Sequence, residues 1–424
     1  MPVAKIPQSN IPTLPMFSAV RTDTIVESIK AAIQHCKDTI EAVVTSGAKS
    51  FDSVVVSIDE ADDALSRIWS PIRHMNSVVS SDQLREAHDA CLPLLSEYGT
   101  YVGQHKALFE CYQAIQQSEE YANLSQAQRK AIDNAVRDFK LSGVDLDDNA
   151  KTEYAAIQTK LSELSSKFSN NVLDATMHFH YVTDDESELS GLPDSALAAA
   201  KQLAESKQKA GYMFTLDIPS YLPVITYADN RALREKMYKA YVTRASELDT
   251  EDGQFDNTNI IEETLALRKQ KAELLGFENY SEYSIASKMA ETNEQVLAFL
   301  NALADKSKPQ AKTELDEIEG FAKSEFDAED LQAWDYSYYA EKLKQAKYSI
   351  SDEQLRPYFP EDKAVFGLFE VISRLYDIDV VEVDSFDKWH DDVRFFELQK
   401  DGAVRGAFYL DLYAREKKRG GAWM

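Results

Sequence analysis

The sequence predicts a mostly α-helical protein with a small antiparallel sheet near the C-terminal end of the chain. Gly (14) and Pro (12) are scarce among 424 residues, and few helix breakers favour long helices over many short strands and turns. Apolar residues recur at helical spacing through most of the chain, whereas valine-rich, strand-like runs appear after Asp377. Two of these runs are joined through Asp401-Gly402, a dipeptide that strongly favours a hairpin turn.

The opening residues, 2–15, predict an extended arm, because proline blocks helix formation and restricts the residue before it. The clearest helix follows later, at residues 149–176, where apolar residues recur at steps of four, three, four and four. Ser125 predicts a helix start, with Gln128 in the capping-box position. The other predicted helices are residues 22–44, 52–69, 82–116, 195–210, 231–247, 258–275, 292–326, 336–348 and 363–376.

A change in composition predicts a domain boundary near residue 190. The acidic run at residues 184–188 is followed by Gly191 and Pro193, which are typical of a linker. We therefore divide the chain into an N-terminal helical domain, residues 1–190, and a second region, residues 191–424. In the second region, residues 212–227 contain Pro219 and Pro223 and predict extended structure, and strands are predicted at residues 380–383, 393–399 and 404–412.

Charge and cysteine usage exclude several classes of protein. The net charge of −26 disfavours nucleic-acid binding, because such a surface repels phosphates. The most basic run, residues 415–419, is interpreted as a solvated strand end. Three widely spaced cysteines argue against a disulfide framework or zinc finger and fit the cytoplasm. The sequence contains no run of about 20 apolar residues, so it predicts no membrane span.

The sequence contains no recognisable catalytic motif. None of the seven histidines forms a His-Glu-x-x-His pair or its inverse, so no helix presents two imidazoles to one zinc ion. His178 and His180 would diverge on a helix, and His390 beside two aspartates is interpreted as a turn. Nucleophile elbows, phosphate loops and dinucleotide fingerprints are also absent. We therefore assign no catalytic residue and no metal ligand in this chain.

Several segments, in a shared order, resemble the thimet oligopeptidase (M3) family of zinc metallopeptidases. The most specific is a strand of the form F-Y-x-D-x-Y-x-R-x-x-K before a glycine-rich end, with Ala414 where many relatives carry proline. The residues that fill this pattern are Phe408, Tyr409, Asp411, Tyr413, Arg415 and Lys418. The other resembling segments are residues 69–77, 92–97, 168–175, 216–223, 274–280, 348–360 and 367–369, together with the helix carrying Arg234, Tyr238, Tyr241 and Arg244.

The resemblance implies a neurolysin/thimet oligopeptidase-like helical clam with a deep channel and a small antiparallel sheet. Residues 1–190 would form one wall of the channel, and residues 191–424 the first, incomplete part of the peptidase domain. It further implies a cytoplasmic zinc metalloendopeptidase that hydrolyses short peptides. Its zinc ligands and general base would lie beyond Met424, so this chain is expected to be inactive alone and to bind no zinc.

The resemblance also suggests where substrate would bind. In related peptidases the edge strand of the small sheet pairs with the peptide backbone, and the corresponding stretch here ends at Gly420, Gly421 and Ala422. Glycine would let the peptide approach closely, although a plain turn or bulge is equally consistent with these residues.

Two other functions remain open on sequence alone. The chain could be a non-catalytic helical peptide-binding or scaffold protein, or an inhibitor or decoy related to the peptidase. The reading frame beyond residue 424 discriminates between the enzyme and these two alternatives, because only the enzyme needs His-Glu-x-x-His to follow.

Overall fold

A computed structural model describes residues 14–249 and 253–421 of the chain. It is 67% helical, and its strands form two small antiparallel sheets. The predicted arm lies almost entirely outside the described residues. The helices are α1 (Ile25–Ser46), α2 (Ser57–Val78), α3 (Asp82–Gly103), α4 (Lys106–Gln116), α5 (Glu119–Asn123), α6 (Gln126–Leu141), α7 (Asp148–His178), α8 (Asp194–Ser206), α9 (Ile218–Tyr227), α10 (Arg231–Thr243), α11 (Thr258–Leu274), α12 (Tyr280–Ile285), α13 (Asn293–Phe326), α14 (Tyr336–Tyr348), α15 (Asp352–Leu355) and α16 (Glu361–Tyr376). The strands are β1 (His180–Thr183), β2 (Tyr212–Thr215), β3 (Asp379–Glu382), β4 (Arg394–Lys400) and β5 (Ala403–Leu410).

The described chain divides into two compact units. The helical unit contains residues 16–170 and 257–303, and the mixed unit contains residues 14–15, 171–249, 253–256 and 304–421. The chain passes from one unit to the other at residues 170–171, 256–257 and 303–304. The domain boundary near residue 190 stays a prediction.

The core of the helical unit follows from the apolar spacing of its helices. On α1, Ile25, Ile29, Ile33, Cys36 and Ile40 occupy one face, and all five are buried. This face packs against α2 and α3, as expected when apolar residues recur every three or four positions. The predicted capping box at the start of α6 is confirmed, because the side chains and backbone amides of Ser125 and Gln128 bond reciprocally.

Two helices differ from their predicted extents. The predicted helix over residues 82–116 is broken into α3 and α4, and the Nδ1 atom of His105 accepts a hydrogen bond from the backbone amide of Leu108 at 3.1 Å. This side-chain acceptor caps α4 and so makes the break favourable. The predicted helix over residues 52–69 begins with a π-helical turn, Asp52–Val56, and continues as α2 past Pro71.

The prediction of extended structure over residues 212–227 was wrong in its second half. Residues 212–215 form β2, but α9 begins at Ile218. Pro219 lies in the first turn of α9, where a missing backbone N–H removes no helical hydrogen bond. Strand β2 pairs with β1 in a ladder that the sequence did not predict, with Tyr181 opposite Phe214.

The larger sheet lies after residue 377, as predicted. Its strands follow the order β3-β4-β5, and both neighbouring pairs are antiparallel. The hairpin between β4 and β5 turns through Asp401 and Gly402, which both have positive φ, as a type I′ turn requires. This sheet positions the segment that resembles the family signature.

Candidate functional site

The signature segment, residues 408–421, begins on β5 and continues past its end. Asp411 is the first residue after β5, and its carboxylate is largely buried. Arg415 donates two hydrogen bonds to it, from Nη1 to Oδ1 at 2.6 Å and from Nη2 to Oδ2 at 2.9 Å. This is the bidentate geometry in which a guanidinium binds a carboxylate most strongly.

Two further donors converge on Asp411. Lys418 Nζ donates to the Asp411 carboxylate and backbone carbonyl, both at 2.9 Å, and to the Tyr413 carbonyl at 2.7 Å. Trp389 Nε1 donates to the other carboxylate oxygen at 2.9 Å. Burial by itself would raise the pKa of Asp411, but hydrogen bonds from Arg415, Lys418 and Trp389 outweigh it and hold that pKa well below its usual range. The charged signature residues therefore fold this segment around one anion.

The aromatic signature residues secure the two faces of the sheet. Phe408 stacks on Phe396 with ring centroids 5.4 Å apart, while Tyr409 contacts Phe395 at 4.8 Å. Neighbouring residues of a strand point to opposite faces, so Phe408 and Tyr409 hold both sides at once. The interpretation of residues 415–419 as a solvated strand end holds for the exposed Glu416 and Lys417. It was wrong for Arg415 and Lys418, whose side chains are largely buried against Asp411.

The glycines predicted to bind substrate lie beyond the strand rather than on its edge. Strand β5 ends at Leu410, whereas Gly420 and Gly421 are exposed in an irregular stretch, and Ala422 lies outside the described residues. A Cβ at either glycine would meet nothing within 4 Å. Within the described part of the chain, no strand pairs with the outer edge of β5. The substrate-binding role of the three residues stays a prediction.

A cleft of about 310 Å³ adjoins the signature segment in the mixed unit. It is lined by residues of α8, β2 and α9 and by residues 414–416. The Lys207 ammonium pairs with Glu416 at 2.6 Å, and the backbone amide of Lys417 lies 3.1 Å from Met177 Sδ. Asp217 lines the cleft, and burial raises its pKa. These contacts attach the segment to α7 and α8.

Of the residues on α10 that resemble the family, Arg234 is buried, whereas Tyr238 and Tyr241 are half-buried against the core of the mixed unit. Arg234 is fully buried and donates from Nη2 to Asp335 at 2.8 Å, while Arg231 donates from Nη2 to the same carboxylate at 2.7 Å. Tyr241 stacks on Tyr221 with centroids 4.1 Å apart. These residues stabilise the mixed unit and do not form an open site.

The described residues do not fit a zinc site. Nowhere in residues 14–249 and 253–421 do three histidine, cysteine, aspartate or glutamate side chains gather at metal-binding distance. His178 ends α7 and His180 begins β1, so the two rings do not share one element. His390 Nδ1 accepts a hydrogen bond from the backbone amide of Asp392 at 3.2 Å, and this bond closes a turn. We therefore derive no catalytic step through zinc from these residues.

Sequence reasoning missed a buried lysine in the helical unit. Lys271 lies near the end of α11 and is only 6% exposed, with its ammonium 4.6 Å from the Tyr283 ring centroid and 5.2 Å from that of Tyr154. Burial lowers its pKa from 10.5 to about 8. The signal was present, because Lys271 falls eleven residues after the buried Ile260, three helical turns along one face.

The Lys271→Met variant is expected to be more stable than the natural chain at pH 7 by about 2–3 kcal/mol, because methionine removes an unpaired buried charge. The folded pKa of Lys271 lies below its unfolded value, so the penalty is complete below pH 8 and disappears as the pH rises to 10.5. Urea unfolding between pH 7 and 10.5 should show the difference shrinking. Lys269→Met, at an exposed position on α11, is the control; a pH-independent gain would contradict the prediction.

No helix among the described residues is both long and apolar enough to cross a membrane. Of the three cysteines, Cys36 and Cys91 are buried and Cys111 is half-buried, and all are free thiols.

Comparison with known proteins accounts for most of the chain. Residues 224–424 match the model of peptidase family M3, and residues 25–151 match that of the neurolysin/thimet oligopeptidase N-terminal domain. Oligopeptidase A of Salmonella typhimurium is 55% identical over 414 residues, and that of Escherichia coli is 54% identical over 413 residues. Each match covers 97% of this chain but 61% of the relative, so the chain spans about three fifths of their length.

A solved structure supports the fold. A crystal structure carrying the name oligoendopeptidase F has a TM-score of 0.50 at 16% identity, and the match covers 77% of this chain and 48% of that one. At this identity the likeness concerns the fold alone. The two family models, the relatives and the helical fold agree with the signature segment, and the chain belongs to peptidase family M3, with a neurolysin/thimet oligopeptidase-type N-terminal region.

Proposed function

We propose that this chain is the N-terminal part of a zinc metalloendopeptidase of the oligopeptidase A type, which hydrolyses short peptides in the cytoplasm. The observation that carries the proposal is the 55% identity to an oligopeptidase A along 97% of the chain. The zinc ligands and the general base would lie beyond residue 424. This placement agrees with a chain that covers 61% of that relative.

In this proposal the described residues supply a scaffold for the catalytic part. The hydrogen bonds from Arg415 and Lys418 to Asp411 hold residues 411–418 in one conformation, and this conformation sets the position of Gly420. The outer edge of β5, which pairs with no described strand, offers backbone donors and acceptors to an extended peptide. Bound zinc would supply a water molecule that ionises near neutral pH.

A non-catalytic peptide-binding protein is the second candidate. The same open edge of β5 favours it, because pairing with a peptide strand needs no metal. The two functions make different demands on the gene, since only the peptidase requires zinc ligands to follow residue 424.

The test compares the 424-residue chain with the protein translated from the complete reading frame, using a quenched fluorescent peptide. We expect the complete protein to cleave the peptide and a zinc chelator to lower the rate by roughly 100-fold or more, because the metal generates the nucleophile. The 424-residue chain should remain at background. A reading frame that stops at residue 424, with peptide binding but no cleavage, would favour the second candidate. Chelator-sensitive cleavage by the 424-residue chain would overturn the placement of the zinc site.

The same assay tests whether Gly420 contributes to substrate binding. A Cβ at Gly420 meets nothing within 4 Å, so Gly420→Ala should fold normally. If the peptide backbone approaches there, KM should rise while kcat changes little. Gly320→Ala, at another open position, is the control. An unchanged KM in Gly420→Ala would remove Gly420 from the substrate site.

A further inference from the structure

A cavity of about 750 Å³ is lined by residues of the helical unit, and none of its lining residues belongs to the signature segment. Residues of α2, α3, α7, α11 and α12 line it. Its walls combine apolar side chains with hydroxyl and amide groups. The apolar side chains include Trp69, Leu92, Leu161, Phe168 and Leu265. The volume falls in the range of pockets that bind small molecules.

The charges that line this cavity have one sign. Arg268 and Lys271 lie three residues apart on α11, and both contribute to the lining. The part of the chain that the structure describes contributes no aspartate or glutamate to it. In a chain of net charge −26, a cationic lining without acidic residues favours an anionic ligand.

Lys271 is a cation without an anionic partner. Two tyrosine rings flank its ammonium, but no described carboxylate pairs with it, and burial alone accounts for its lowered pKa. Ring faces compensate a buried ammonium only in part, whereas a buried charge is normally paired. An anion reaching Lys271 would form the charge-assisted hydrogen bond that the ammonium lacks.

We propose that this cavity binds a carboxylate attached to an apolar body, with the carboxylate on Lys271 and the apolar part against the walls. Lys271 is buried, and a single carboxylate neutralises its ammonium, whereas the second charge of a phosphate dianion would face only the solvent-exposed Arg268. Arg268, whose guanidinium lies over the Tyr280 ring at 5.1 Å, adds a second positive charge to the lining. The carboxylate could belong to the C-terminus of a short peptide or to a free aliphatic acid.

The site does not depend on peptidase activity, and its test is a binding measurement. Calorimetry on the 424-residue chain would compare octanoate with octanol and octylamine, and Ala-Ala-Leu with its C-terminal amide. We expect at least one carboxylate to bind, and its uncharged or cationic analogue to bind at least about tenfold more weakly. The tighter carboxylate identifies the source. Equal binding of a carboxylate and its analogue, or no binding of either carboxylate at millimolar concentration, would overturn the proposal.

Variants and chemical protection locate the site. Lys271→Met should weaken carboxylate binding at least about tenfold, while Lys269→Met should leave it unchanged. Reductive methylation of the natural chain, followed by mass spectrometry, gives a readout without mutation. The bound carboxylate should slow the methylation of Lys271 and not that of Lys269. Undiminished binding in Lys271→Met, or unchanged methylation of Lys271, would refute the assignment.

Discussion

Replacing Asp335 by alanine is expected to lower the free energy of unfolding by about 3–5 kcal/mol, because it leaves a buried charge without its partner. Asp335 is fully buried and accepts hydrogen bonds from Arg231 and Arg234. Arg234 is also fully buried, with its other bonds going to the backbone carbonyls of residues 228, 229 and 334. Those carbonyls are dipoles and cannot neutralise the guanidinium when Asp335 is removed.

Urea unfolding monitored by circular dichroism measures this effect. Asp316→Ala is the matched control, since Asp316 forms only an exposed pair with Lys312, and such pairs contribute about 0–1 kcal/mol. Burial would raise the pKa of Asp335, but hydrogen bonds from Arg231, the Gln332 amide and Arg234 lower it below 3.8. The stabilisation is therefore present above pH 3.8 and lost as the pH falls through the folded pKa. A loss below about 1 kcal/mol in Asp335→Ala would show that the buried arginine tolerates isolation.

Replacing Asp411 by alanine is expected to open the signature segment and to lower the free energy of unfolding by about 3 kcal/mol. The carboxylate receives donors from Arg415, Lys418 and Trp389. Without it, Arg415 and Lys418 repel each other and regain hydration only if the segment leaves the sheet. The effect should concentrate in residues 411–421, because the hairpin β4–β5 keeps its own ladder.

Limited trypsin digestion detects the opening, since trypsin cleaves after lysine and arginine. Cleavage at Lys417 or Lys418 should be at least about tenfold faster in Asp411→Ala, because proteolysis follows the population of the open state. Asp391→Ala is the control; Asp391 is fully exposed and pairs weakly with Lys388 at 3.6 Å. Equal cleavage of Asp411→Ala and the natural chain would show that the backbone alone holds the segment. In the complete protein, the opened segment should also lower peptide cleavage if it positions the substrate.

Sequence patterns identified the elements whose information is local. The Asp401-Gly402 turn requires only two residues that tolerate positive φ, and the α6 capping box requires only Ser125 and Gln128. The strand β1 was missed because four residues are too few to show alternation, and its partner β2 begins about thirty residues later. The helix α9 was missed because proline was counted as a breaker although Pro219 lies in a tolerant first turn.

The sequence by itself determined the helical fold class, the C-terminal sheet and the signature that points to family M3, since each depends on short-range periodicity or on residue order. Tertiary structure decided what the signature residues do. Trp389 and Lys418 reach Asp411 from 22 residues before it and seven residues after it, and Asp335 meets Arg234 across 101 residues. Tertiary packing also buried Lys271 beside a cavity to which the described residues contribute no aspartate or glutamate. An ionisable side chain has its ordinary pKa in water, and only the packing of distant elements sets its burial and its partners.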